Sequence, residues 1–414
     1  MRIAVVGAGV SGLVAARGLH VEHEVTVFEA EDRLGGHVHT WEVPLGGRTW
    51  AVDSGFIVYN ERNYPEFTRR LAECGVASQP TTMSFSVRHD RDNLEYNGTS
   101  LATLFAQRAN LFRPAFLQML AAILRFNREA AAAVRAGGAG QTLGHLLEAG
   151  RYPGSLAEWY LVPICAALWS LPARRALELP ATFVVDFLDN HGMLEVNNRP
   201  EWRVVQGGSA RYVEAMVTSF RQQVRLGHRV GAVRRFEDRV EVDGERFDRV
   251  VLACHSDQAL AMLADPRPAE RELLTALPYQ ANDAVLHTDS SILPRRRRAW
   301  GAWNHRVGRD PSAPAVVTYN MNLLQSLNAP ETFCVTLNGE SHIDPARVIG
   351  RVRYHHPVAT LAGQAARARR SVVSGKDRTH YAGAYWGNGF HEAGVASGLA
   401  VVAEVAAVTS GMPG

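Results

Sequence analysis

The first 29 residues restrict the fold more than any other stretch of the chain. Ile3 to Val6 is a short, β-branched apolar run, the pattern of a buried parallel strand. It leads straight into Gly7-Ala8-Gly9-Val10-Ser11-Gly12, after which Leu13, Ala16 and Leu19 recur at helical spacing. A second strand, Glu24 to Phe28, ends at Glu29. Strand, glycine turn, helix, strand and acid in this order form the βαβ unit that binds a dinucleotide. Gly7 permits the tight turn, Gly9 lets the backbone approach a pyrophosphate, and Gly12 lets helix and strand pack closely. Ser11 lies in the same turn, where free N–H groups and the positive helix end face the phosphates. Glu29, 22 residues after Gly7, is placed to accept hydrogen bonds from both ribose hydroxyls. Its charge disfavours a 2′-phosphate, which argues against NADP.

Composition narrows the rest. A chain of 414 residues predicts two or three structural units, and 46% apolar with 21% charged residues is enough to bury a core. The 44 basic and 41 acidic residues nearly cancel, so bulk charge gives no support to nucleic-acid binding. Cys74, Cys165, Cys254 and Cys334 are far apart, with no metal-ligand spacing; neither a zinc site nor a disulfide framework is expected, and a reducing compartment fits. No charge-free run of about 18 apolar residues is visible, so no transmembrane helix is expected. The N-terminus has the outline of a signal peptide, but its glycine spacing belongs to the nucleotide turn. The expected location is cytoplasmic, with peripheral contact at the inner membrane face allowed.

Glu29 opens a second pattern, E-x-x-x-R-x-G-G, formed by Glu29, Arg33, Gly35 and Gly36. An NAD domain has no need of this second glycine pair. The pattern resembles the FAD-dependent amine-oxidase and phytoene-desaturase superfamily, in which the segment wraps the pyrophosphate and the arginine braces it. Asp53-Ser54-Gly55 matches the superfamily's D-x-G turn. Val205-Gln206-Gly207-Gly208-Ser209-Ala210 and the following helix also match, and Val230 stands where the backbone meets the adenine edge. A hairpin is expected at Asp243-Gly244, then a strand through Val250 and Leu252 returning to the nucleotide sheet.

The stretch from Tyr381 to Gly398 resembles the superfamily's closing motif. There a strand ends in Ala-Gly, here Ala382-Gly383, and a glycine-rich turn through Phe390 starts the last helix. The resemblance implies that this helix's N-terminus points at the flavin N1/C2=O edge, reached by the backbone of His391. The implied fold is α/β: a Rossmann-type FAD-binding domain, glutathione-reductase-like, from residues 1–75, 200–275 and 365–414. An inserted mixed α+β substrate-binding domain would come from residues 76–199 and 276–364. The implied cofactor is FAD.

Within the superfamily the chain looks closest to a group found beside, or fused to, cyclopropane-fatty-acid synthase-like enzymes. Gly55-Phe56-Ile57-Val58-Tyr59-Asn60, Met83-Ser84-Phe85-Ser86 and Gly389-Phe390-His391-Glu392 carry that likeness, which implies a lipid acyl substrate. Three departures restrict the chemistry. The only lysine is Lys376, away from the position where many amine oxidases hold a water at flavin N5. The superfamily's Gly-Gly-Arg is Gly35-Gly36-His37 here, and its closing Ala-Gly-Asp is Ala382-Gly383-Ala384.

The favoured function is an FAD-dependent oxidoreductase that dehydrogenates an unsaturated or methyl-branched fatty acyl chain by hydride transfer to flavin N5. Tyr59, His391 and Glu392 are the candidates to take the second proton, with His191 a weaker one. A double-bond isomerase, an amine oxidase and a nucleotide-binding carrier without chemistry are the alternatives. Aromatic residues of the inserted pieces, such as Trp169, Phe183 and Phe187, belong mostly to the core, with a subset lining an apolar tunnel. Residues 101 to 135 read as helices broken near Pro114, rich in arginine, with Glu129 the one acid. That pattern suits either an ordinary core-facing helix or a docking surface on an anionic bilayer. Arg295 to Arg298 reads as a solvated charge run. Oligomeric state is not encoded legibly.

Overall fold

β1 (Arg2–Val6) runs parallel to β2 (Glu24–Phe28), Val5 opposite Val27, with α1 (Val10–Leu19) connecting them. Three more parallel strands complete this five-stranded sheet in a computed structural model. Val224–Arg225 lies outside β2, Arg249–Leu252 pairs with β1, and Thr379–Tyr381 forms the far edge. The structure describes all residues except 138–139, 170–171, 196–198, 311–314 and 411–414. Ile3 to Val6 and Val250 to Leu252 are buried because both sheet faces are covered. One face packs Val5, Val27 and Val251 under Leu13, Met216 and Val401. The other packs Ala4, Val6 and Val250 under Val233, Val240 and Leu273.

The last helix, His391–Thr409, lies along α1. Gly394 and Gly398 make that approach close: a Cβ at Gly398 would stand 2.5 Å from the Ser11 carbonyl oxygen. A Cβ at Gly394 would stand 2.7 Å from Val10 Cγ1. The two helix N-termini are therefore held side by side. By length and composition the last helix could cross a membrane. Here it packs on α1, and its Glu404 bonds Arg370, Ser374 and His380.

A second, mixed sheet of seven strands is built mainly from residues 279–357. Its central strands, Tyr279–His287, Cys334–Leu337, Val316–Asn320 and Trp303–Val307, are antiparallel neighbours. Val348–Pro357 flanks one side; Phe85–His89 and Leu94–Asn97 flank the other. A helical layer covers Phe126, Leu146, Leu161, Trp169 and Val184. The expected break near Pro114 is a short helix, Leu101–Leu104, capped by Ser100, then a 3₁₀ turn, Arg108–Phe112. The long helix Pro114–Gly137 then starts on the proline, which suits a first helical position. The hairpin turn at Asp243-Gly244 has both residues at positive φ, +49° and +85°.

Candidate active site

At the C-terminal end of β1 the glycines divide the work. Gly7 takes φ +106°, and a Cβ there would meet Ala253 O at 2.7 Å. A Cβ at Gly12 would fall 1.9 Å from Gly7 O, so helix and turn touch through bare backbone. Gly9 differs: a Cβ on it would meet no protein atom within 4 Å. Gly36, at φ +58°, comes against Gly9, and Gly35 bridges to it. α1 starts at Gly9 with no side-chain cap and no acid in its first turn, while Val10, Ser11 and Gly12 are buried. A buried helix N-terminus with no protein anion to meet it fits a diphosphate.

Glu29, almost fully buried, accepts the Ala8 N–H at 2.7 Å and the Glu31 N–H at 3.0 Å, which fixes its carboxylate beside the turn. Val230 is buried nearby, and the Glu29 carbonyl takes the N–H of His228 at 2.8 Å. Arg33 donates to the carbonyls of Gly36 and Val38, at 2.9 and 3.0 Å. It braces the loop that carries Gly35, Gly36 and His37. Gly383 donates its N–H to Ser397 Oγ at 2.9 Å, tying the end of the Thr379–Tyr381 strand to the last helix. These residues would hold FAD: Gly7, Gly9, Ser11 and Gly12 at the phosphates, Glu29 at the ribose, Val230 at the adenine.

His37 sits in a histidine cluster that the sequence did not reveal. Its ring stacks on Tyr354 (centroids 5.1 Å, 25° between planes) and lies 5.3 Å from His356 and 6.2 Å from His255. His255 stacks on Tyr279 at 4.2 Å. Burial, then the neighbouring imidazoles, holds His37 well below the usual histidine range, and His356 is pushed down to about 4. His37 Nε2 is buried and has no hydrogen-bond partner among the described residues. Among the described residues no three His, Cys, Asp or Glu side chains stand together as a metal-binding set. The one local signal was His255, two residues beyond Ala253 at a strand's C-terminal end, where parallel-sheet sites lie.

The three expected proton acceptors do come together, but around Phe67. Tyr59 packs edge-on against Phe67 at 5.1 Å and is 1% exposed. The His391 ring stacks on Phe56 at 3.7 Å, and its Nε2 lies 2.6 Å from Tyr212 Oη. Burial lowers the His391 pKa to about 3. Glu392 accepts the N–H groups of Glu66 and Phe67, each at 2.9 Å, and so caps α2 (Pro65–Glu73). In the structure His391 Nε2 is met by Tyr212, both Glu392 oxygens are met by α2, and Tyr59 is buried against Phe67. His391 begins the last helix, whose first turn has no side-chain cap from its N-cap residue Phe390. Phe390, just before it, stacks on Phe187 at 4.9 Å. Lys376 precedes the Thr379–Tyr381 strand, at the sheet end opposite Gly383. A separate groove of about 1200 Å³, lined by Trp50, Cys74 and Gln206 among others, contains none of these residues.

The sequence matches the Flavin containing amine oxidoreductase family over residues 10–291, more than half of the chain. The chain belongs to this family. It is an FAD-dependent oxidoreductase. A 55-residue stretch is 53% identical to the flavin-dependent L-tryptophan oxidase RebO of Lentzea aerocolonigenes, covering 13% of this chain and 12% of that protein. Cyclohexylamine oxidase from Brevibacterium oxydans IH-35A superposes with a TM-score of 0.68 over 99% of each chain, at 16% identity. A CLA-producing fatty acid isomerase from P. acnes superposes with a TM-score of 0.69 over 97% of this chain and 98% of its own, also at 16% identity. These two likenesses establish the fold: a parallel nucleotide-binding sheet with a separate mixed sheet.

Proposed function

We propose that this family member oxidises an apolar substrate, an unsaturated or methyl-branched fatty acyl chain, by dehydrogenation. The observation that carries this reading is the aromatic wall that runs into the start of the last helix. Phe390 stacks on Phe187, Phe187 on His191 at 3.9 Å, and Trp169 leans on Phe183 and Phe187 at 4.8 and 5.3 Å. Phe183, His191 and Phe390 are only partly buried. Such a wall orients a hydrocarbon and excludes water. Glu392, the acid next to Phe390, spends both oxygens on α2.

Bound FAD supplies the two-electron acceptor for this chemistry. The chain's contributions are separate. The uncapped first turn of the last helix sets positive potential at the cofactor's edge. The aromatic wall holds the acyl chain in register. His37, held neutral and with no partner for its Nε2 among the described residues, would accept a hydrogen bond from the cofactor there, while the second hydrogen of the substrate leaves as a proton to solvent.

A redox-neutral shift of a double bond would use the same wall and is the second reading. Anaerobic mixing of the holoprotein with fatty acids, acyl phospholipids, monoamines and polyamines separates the readings. Dehydrogenation bleaches the flavin with a lipid and yields a product two hydrogens lighter. Isomerisation changes double-bond position at constant mass with no net bleaching. Bleaching by amines alone would overturn the lipid assignment.

A further inference from the structure

The helix Pro114–Gly137 is apolar on two sides. Its inner side buries Phe116, Met119, Phe126 and Val134. A core helix normally turns polar residues outward. Here the outward stripe reads Leu117, Ala121, Leu124, Arg128, Ala132 and Arg135, all exposed, at steps of three and four residues. The turn before it adds Leu111 and Phe112, the latter 87% exposed, and the preceding short helix adds Leu101 at 76%. Exposed apolar groups this concentrated mark a surface meant to be covered.

Apart from Glu129, which pairs with Arg125 at 3.6 Å, the charge around the patch is basic. Between Tyr96 and Glu129 there are four arginines, Arg108, Arg113, Arg125 and Arg128, and no acidic residue. The turn Arg297–Ala299 packs against Leu101–Leu104 and brings the run Arg295 to Arg298, all exposed, to the same border. The acid facing this run, Glu95, is buried and already bonded to Arg296 at 3.1 Å. Arg108, Arg128 and Arg298 have no ion-pair partner among the described residues. Two copies of this face would set arginine against arginine, which disfavours a symmetric dimer through it.

We propose that the surface formed by residues 101–128 and 295–298 docks on an anionic lipid bilayer, with Phe112, Leu117 and Leu124 inserted at the interface and the arginines at the headgroups. Interfacial helices bind in this way, combining buried apolar area with attraction to anionic lipid. The inference stands apart from the substrate assignment, because a docked enzyme can act on any membrane-soluble compound.

The test is sedimentation of the full-length holoprotein with vesicles of phosphatidylcholine alone, or with one third phosphatidylglycerol. Wild type is expected to bind the anionic vesicles at low salt, to dissociate as salt rises, and to leave neutral vesicles largely unbound. R108Q/R128Q should weaken binding roughly thirtyfold, since each interfacial arginine is worth about a fivefold change. F112S/L124S should abolish it, with flavin absorbance and melting temperature unchanged in both variants. Failure of wild type to bind anionic vesicles at low salt overturns the proposal, and so does equal binding by wild type and both variants. A dimer in sedimentation velocity that F112S/L124S dissociates, without vesicle binding, would assign the face to a second copy and also overturn it.

Discussion

The carboxylate of Glu392 accepts the N–H of Phe67 at 2.9 Å, joining the first turn of the last helix to the first turn of α2. Those two turns start 326 residues apart in sequence, by the Glu66–Glu392 bond beside it. Removing the carboxylate orphans two helix N–H groups, so Glu392→Ala should cost about 1–2 kcal/mol of stability. Urea denaturation measures this. Flavin reduction by substrate should change less than about threefold in the folded fraction, as expected for a cap and not for a base.

Gly9 and Gly12 should respond differently to the same added methyl. Gly12→Ala drives a Cβ into the Gly7 carbonyl, where only backbone could give way, and should cost about 3 kcal/mol or more. Gly9→Ala meets no protein atom and should fold normally. It would still occupy space proposed for the diphosphate, so FAD affinity should fall at least about tenfold. Titration of apoprotein with FAD, followed by flavin fluorescence, tests the pair. A Gly9→Ala variant that binds FAD like wild type would remove the phosphate from this turn.

Glu29→Gln keeps an acceptor for the Ala8 N–H but removes the charge. Hydrogen bonds to charged groups contribute about 1.5–3 kcal/mol, so FAD should bind roughly 10–100-fold more weakly, and loss of the acceptor for the Glu31 N–H should cost the apoprotein about 1 kcal/mol of stability. Unchanged affinity would place the ribose elsewhere.

Acid should destabilise the fold through two buried imidazoles, His287 and His305, and four half-buried ones. Burial holds His39, His255, His287, His305 and His356 near 4 and His391 near 3, all below the 6.5 of a free histidine. Unfolding therefore takes up protons in this window. The stabilisation is complete above pH 6.5 and is lost as pH falls toward 4. Asp53 acts in the opposite sense: burial, partly offset by Thr40 and Ser209, raises it to about 6, so the folded state binds that proton first. One carboxyl does not balance six imidazoles. The melting temperature should drop by more than about 10 °C between pH 7 and 4.5. A flat profile would mean that the rings are solvated or already paired.

The nucleotide half was readable because its constraints are local. Gly12 answers to the Gly7 carbonyl inside the same turn, Gly9 leaves the space a ligand would take, and the acid follows at a fixed distance; Gly7, by contrast, answers to a distant atom, Ala253 O. The break before Pro114 was readable for the same reason. The histidine cluster was not, because His37, His255 and His356 are far apart in the chain and meet only when the two sheets are assembled. Tyr59, His391 and Glu392 show the opposite limit. Which way each side chain turns is decided by Phe67, Tyr212 and the N-terminus of α2, and nothing next to them in sequence announces that.

The parallel sheet also has a consequence for biogenesis. Its strands are drawn from residues 2–28, 224–252 and 379–381. While the polypeptide is still emerging from the ribosome, Arg249–Leu252 lacks its outer neighbour Thr379–Tyr381, and the last helix, which packs Val401 over Val5 and Val251, has not been made. Completion of the parallel sheet thus waits for the end of the chain, from Thr379 onward. For most of translation this apolar edge is unshielded, which makes it the natural target for a chaperone.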